Sequence, residues 1–158
     1  MRYDMKMKSL VPLLFLVAGL AVTSVPALAV DTDTAPPVSS DHAAGKKAIE
    51  AKDWNAAIKA LTAAEKRDSR NADIQNLLGY SYRNAGQLDA AFRHYERALQ
   101  LDPRHRGARE YMGEAYLIAN NLAKAEEQLA ALNSICPRVC EERDDLAKSI
   151  ERYRSARK

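Results

Sequence analysis

Glycine and aromatic residues are scarce in this chain. Its 158 residues include six glycines, and seven tyrosines, two phenylalanines and one tryptophan make up just 6% of the total. β-Sandwiches and barrels draw on aromatics in their strands and glycine in their tight turns, so the composition sets that class aside. No Gly-x-Gly-x-x-Gly, P-loop or Gly-x-Ser-x-Gly occurs, which leaves no glycine-rich cradle for phosphate and no nucleophile elbow. Cysteine appears twice, at 136 and 140, and histidine three times, at 42, 94 and 105. Neither set has the spacing of a four-ligand metal site. His94-Tyr95-Glu96 lacks the second histidine of a zinc-protease helix, so His94 reads as an ordinary helical residue. The chain therefore reads as non-enzymatic, with no cofactor and no evident small-molecule substrate, and its length fits about one domain.

Long apolar runs are also few. Leu10 to Val22 is apolar over 13 residues apart from Pro12 and Gly19, well short of the roughly 20 needed to cross a bilayer core. Arg2, Lys6 and Lys8 precede it and Ala27-Leu28-Ala29 follows, the arrangement of a cleavable secretory signal over residues 1–29. The expected mature chain starts at Val30, keeps no permanent membrane anchor and works in the periplasm or outside the cell. Removing that segment takes away three basic residues and Asp4, so the formal charge of +3 falls to +1. The remaining charge is too even, and the destination too remote from nucleic acid, for a nucleic-acid partner. Residues 30–39, with Pro36-Pro37, read as a flexible leader.

What is abundant is alanine, 28 of 158 residues and the strongest helix former. Gly45, Gly79 and Gly113 recur every 34 residues. Trp54, Leu88 and Leu122, then Ala57, Ala91 and Ala125, then Ser69, Pro103 and Pro137 keep the same period. Helices are expected at about 40–51, 54–67, 73–85, 88–101, 107–119 and 122–135, with Asp53 and Asn121 as N-caps. Two helices approach closely where facing residues are small, which pairs Gly79 with Ala91 and Gly113 with Ala125. Tyr82 and Tyr116 are expected between hairpins, and Pro103 and Pro137 close the second helices of the middle and third units. A seventh helix over about 140–156 has Leu146, Ile150 and Tyr153 on one stripe. Acidic residues fill its first turns and basic ones its end.

This period resembles the tetratricopeptide repeat family, most closely in the middle unit: Leu78-Gly79, Tyr82, Ala91, Tyr95, Ala98 and Pro103. The third unit keeps Met112-Gly113, Tyr116, Ala125 and Pro137, and the first is degenerate. The resemblance implies an all-α fold, a right-handed α-solenoid of three helical hairpins (about 38–71, 72–105 and 106–139), with residues 140–158 as a capping helix. It further implies a concave groove lined by the first helix of each hairpin. The groove residues would be Lys46 and Ile49, then Asn76, Tyr80 and Arg83, then Glu110, Glu114 and Leu117. Family members that clamp a terminal carboxylate line this surface with several Lys, Arg and Asn residues. Glu110 and Glu114 depart from that pattern and favour a polar, mixed-charge protein or peptide partner. The expected function is a scaffold or adaptor of the bacterial cell envelope. Cys136 and Cys140 read first as a disulfide staple, with a thiol-dependent redox or metal-handling role as the alternative. The basic corner of Arg104, His105, Arg106 and Arg109 reads as a solvated turn, offset by nearby acids.

Overall fold

The computed structural model describes residues 38–136 and 138–157. The secretory segment, residues 30–37 of the leader, Pro137 and Lys158 lie outside the described residues. Among the described residues seven α-helices follow one another: α1 (Val38–Glu50), α2 (Trp54–Arg67), α3 (Ala72–Asn84), α4 (Leu88–Leu101), α5 (Arg106–Ile118), α6 (Leu122–Ile135) and α7 (Glu141–Ser155). Among the described residues there is no strand.

Local chemistry sets where the helices begin. The first amide N–H groups of a helix have no partner inside it, and a side-chain acceptor just ahead of them fills the need. Asp53 accepts from the N–H of Ala56 and Asn121 from that of Lys124, as the sequence predicts. Asn71 does the same for Ile74 at the head of α3. The turn inside each hairpin also repeats. Lys52, Gly86 and Asn120 all have positive φ, at 56°, 76° and 60°, so one left-handed residue reverses the chain in every unit.

Helices pair as α1 with α2, α3 with α4 and α5 with α6. Neighbouring hairpins join through α2 with α3 and α4 with α5, and α7 lies on both α5 and α6. Three apolar clusters run along the stack. The first centres on Leu61, Ala64, Ile74 and Leu78, the second on Ala91, Tyr95, Met112 and Ala115, the third on Leu117, Ala125, Leu132, Leu146 and Ile150. Tyr82 borders the first two clusters and Tyr116 the last two, the bridging role expected of both. On α7, Leu146 is fully buried, Ile150 nearly so, and Tyr153 packs beside them. The sulfurs of Cys136 and Cys140 lie at bonding distance, with Cα atoms 5.8 Å apart, and tie the end of α6 to the head of α7.

The repeating glycines work differently from the small-on-small pairing that the sequence suggests. A Cβ on Gly79 would stand 2.5 Å from the ring of Tyr95, so the atoms nearest the missing methyl belong to Tyr95 and not to Ala91. Gly45 receives Leu61 in the same way, at 2.5 Å. Gly113 receives Leu146 of α7, at 2.6 Å, where Ala125 of α6 was expected. Each glycine is thus a socket for one large side chain, and the alanines are buried beside it. A methyl at Gly79 must displace a fully buried aromatic ring, which costs more than the helix propensity alanine adds, about 1 kcal/mol. Gly79→Ala is expected to lower unfolding stability by about 1–2 kcal/mol net. Urea denaturation checks this, and equal or greater stability would contradict the socket.

Candidate partner-binding groove

The first helices of the hairpins carry the predicted groove residues, and three adjoining cavities run along them. The first, about 240 Å³, lies between α1 and α3 and is lined by His42, Lys46, Asp73, Asn76 and Leu77. Asn76 also lines the second, about 310 Å³, together with Glu110 and Tyr111 of α5 and Glu142 and Asp145 of α7. The third, about 300 Å³, is bounded by Arg83, Glu114, Leu117, Ile118 and Ser149. Glu110 and Glu114 are one helical turn apart, as are Asp145 and Ser149, so the second and third cavities are neighbours on one face.

Arg83 organises the floor. Its guanidinium lies 5.2 Å from the ring centre of Tyr80 and 5.3 Å from that of Tyr111, so the cation is held by two aromatic faces. The two rings are 4.8 Å apart, and Trp54 packs edge-on to Tyr80 at 6.0 Å. Arg83 also donates to Glu114 of α5. The other oxygen of Glu114 accepts from the hydroxyl of Ser149 at 3.3 Å, and Arg152 donates to that hydroxyl at 2.9 Å. One polar chain therefore runs from α3 through α5 to α7. The arginine side chain is only 9% exposed, so its charge is spent within the floor and is not free for an incoming anion.

The expected groove residues divide into three groups. Asn76, Tyr80, Arg83, Glu110 and Glu114 meet along α3 and α5, and exposed Lys46 lies at the α1 end. Leu117 is 9% exposed and belongs to the third core cluster while touching the third cavity. Ile49 packs against the first core cluster. Sequence reasoning missed Tyr111 and the whole contribution of α7. The signal was available: carrying the period one more step, with one extra residue in the Cys136–Cys140 loop, takes Glu110 to Asp145 and Glu114 to Ser149. Glu114 and Ser149 are indeed 35 residues apart in sequence and hydrogen-bonded.

The remaining candidates are absorbed by structure. His105 caps α5, its Nδ1 accepting from the N–H of Ala108 while Nε2 meets Asp73 at 3.1 Å. Arg109 donates to the carbonyl of Pro103, and Arg106 lies 3.4 Å from Glu142. The basic corner is thus a set of caps and braces more than a solvated turn. His94 stacks on Tyr82 at 5.2 Å and meets Gln75, which donates to Glu65; burial holds its imidazole below the usual range. Cys140 is 2% exposed, which shelters one sulfur of the pair from attack by an outside thiolate. Among the described residues no cluster of His, Cys, Asp or Glu is arranged to hold a metal ion.

Electrostatically the groove is lopsided. His42, Lys46 and Asp73 share the α1 end, while carboxylates crowd the α7 end. Glu110 is pushed up to about 8, first by burial and then by Glu114, Asp145 and Glu142, with Arg83 opposing. Tyr111 beside it is pushed up to about 12, first by burial and then by Glu110. An acid whose folded value lies above its unfolded one favours the fold most when protonated. That stability is present below about 4.5 and is lost as pH rises through about 8. Thermal unfolding measured across this window should show a falling midpoint, and Glu110→Gln, which stays neutral, should flatten the fall. A fall of equal depth in both proteins would contradict the assignment.

Comparison with known proteins agrees with this architecture. Residues 72–105, which hold α3 and α4, match the tetratricopeptide repeat family. Solved structures of similar shape include a TPR2B domain:pHsp70 complex of yeast Sti1, with TM-score 0.70 and 19% identity, covering 75% of this chain and 97% of that one. The type III secretion chaperone SycD of Yersinia enterocolitica, in complex with a peptide of the translocator YopD, has TM-score 0.67 and 17% identity, covering 77% and 95%. The Arabidopsis OM64 TPR domain has TM-score 0.66 and 19% identity, covering 73% and 95%. Comparison with curated protein sequences finds no match. Residues 72–105 thus match a tetratricopeptide repeat, and the helical hairpins before and after them share the fold of these solved repeat domains.

Proposed function

We propose that this protein is a non-enzymatic interaction module of the bacterial cell envelope that holds an extended, mixed-charge segment of a partner protein along α1, α3, α5 and α7. The observation that carries the reading is the preassembled floor: Arg83 fixed between Tyr80 and Tyr111 and bonded to Glu114, with cavities on both sides of Asn76. Such a surface binds without reorganising, and half-buried aromatic residues are the side chains that most often dominate binding energy. The similar structures of Sti1 and SycD, whose names record a pHsp70 complex and a bound YopD peptide, support a peptide-binding role for the fold. The engagement of Arg83 by Glu114 favours a mixed-charge partner over a carboxylate clamp. Export rests on the charged, apolar and small-residue order of residues 1–29. Tyr80→Ala combined with Lys46→Glu is expected to cut recovery of the partner from an envelope extract roughly tenfold while leaving helical circular dichroism intact. Unchanged recovery would overturn the groove. Cys136→Ser with Cys140→Ser should leave recovery unaltered, which separates this reading from a thiol-dependent one.

A further inference from the structure

The floor of the groove is balanced in charge, but the cavity beside it is not. In the space between α3, α5 and α7, Glu142 leans 3.4 Å from Arg106 and Asp145 lies 3.0 Å from the exposed Lys148. Glu110, half-buried in the same wall, has no ion pair or hydrogen bond among the described residues. Asn76 stands opposite on α3. It is 7% exposed, and its Oδ1 is buried without a hydrogen-bond partner. A buried acceptor with no donor costs about 1–3 kcal/mol, a cost that a donor brought in by a partner would relieve. Asn76 Oδ1 is an unmet acceptor and Glu110 becomes one on losing its proton, and both residues border a cavity of about 310 Å³ that further carboxylates surround.

Resting on the groove reading above, we infer that this cavity is a subsite for a basic side chain, arginine or lysine, of the bound partner segment. A guanidinium or ammonium brings several N–H donors on one charge, which matches the amide oxygen of Asn76 and a Glu110 carboxylate formed as the cation arrives, in an acidic wall. The carboxylates are not clustered as the oxygen ligands of a divalent ion are, which favours the organic cation. The site lies at the acidic end of the groove, with His42, Lys46 and Asp73 at the other, so the occupant's basic residue sets its direction along the stack. Proton linkage follows from the same geometry. Glu110 faces Glu114 on its own helix, Glu142 and Asp145 on α7 and Arg83 on α3. Free, it holds its proton up to about 8; an arriving cation favours the carboxylate and drives that proton off. Affinity for an arginine-bearing segment therefore rises as pH climbs toward that value.

The test is selection of random linear peptides displayed on phage against the full-length protein, keeping those whose binding is lost with Tyr80→Ala. The retained peptides are expected to share an arginine or lysine. Replacing that arginine by citrulline, its neutral isostere, should weaken binding roughly tenfold, and the difference should vanish in a Glu110→Gln, Asp145→Asn variant. Binding of the arginine peptide to the unaltered protein should tighten as pH rises from acidic towards neutral and beyond. Groove-bound peptides without a basic residue would overturn the subsite while leaving the groove reading in place. So would an equal citrulline penalty in the variant. Selection that yields no peptide dependent on Tyr80 would overturn the groove itself.

Discussion

Three absent methyl groups hold this molecule together. At Gly45, Gly79 and Gly113 a Cβ would collide with Leu61, Tyr95 and Leu146 respectively, so each glycine lets a large apolar side chain reach the backbone of the helix opposite. That approach closes each interface and buries the leucines and the tyrosine completely. Full burial of such a side chain contributes about 1.5–3 kcal/mol. An isolated helical hairpin cannot bury both of its faces; stacked hairpins can, and the bordering rings of Tyr82 and Tyr116 join one unit's core to the next. The third socket differs from the other two because α7 fills it. The last helix is therefore a working part of the stack, in the position that the first helix of a fourth hairpin would hold.

That placement of α7 also shapes the groove. Because α7 lies beside α5, Ser149 and Arg152 extend the polar chain that begins at Arg83, and Glu142 and Asp145 crowd Glu110. The same packing that completes the apolar core concentrates negative charge at one end of the proposed groove. An arginine tied between two tyrosines and a glutamate gives a rigid, charge-neutral centre, flanked by a mixed-charge end near Lys46 and Asp73 and an acidic end near Asp145.

Much of the architecture was legible in the chain because it is periodic. The 34-residue recurrence located the hairpins, Asp53 and Asn121 announced helix starts, and the stripe of Leu146, Ile150 and Tyr153 identified the buried face of α7. What was hidden depends on which helix meets which in space. The period suggested that Gly113 meets α6, as Gly79 meets α4, but α7 packs on α5 and Leu146 takes the socket. Tyr111 was overlooked because its role is set by Tyr80 and Arg83 on another helix. Ile49 was assigned to the groove through the resemblance, and its half-buried side chain packs against the first core cluster, a tertiary contact that the sequence did not display.

Through the socket at Gly113, α7 is structurally continuous with the hairpins. Native-state hydrogen exchange on Leu146→Ala tests it most directly. Removing a fully buried leucine leaves a cavity costing about 2–5 kcal/mol. If the socket couples the helices, amide protection should fall together in α5, α6 and α7, since all three pack around Leu146. Faster exchange confined to α7, with α5 and α6 as protected as before, would contradict the account.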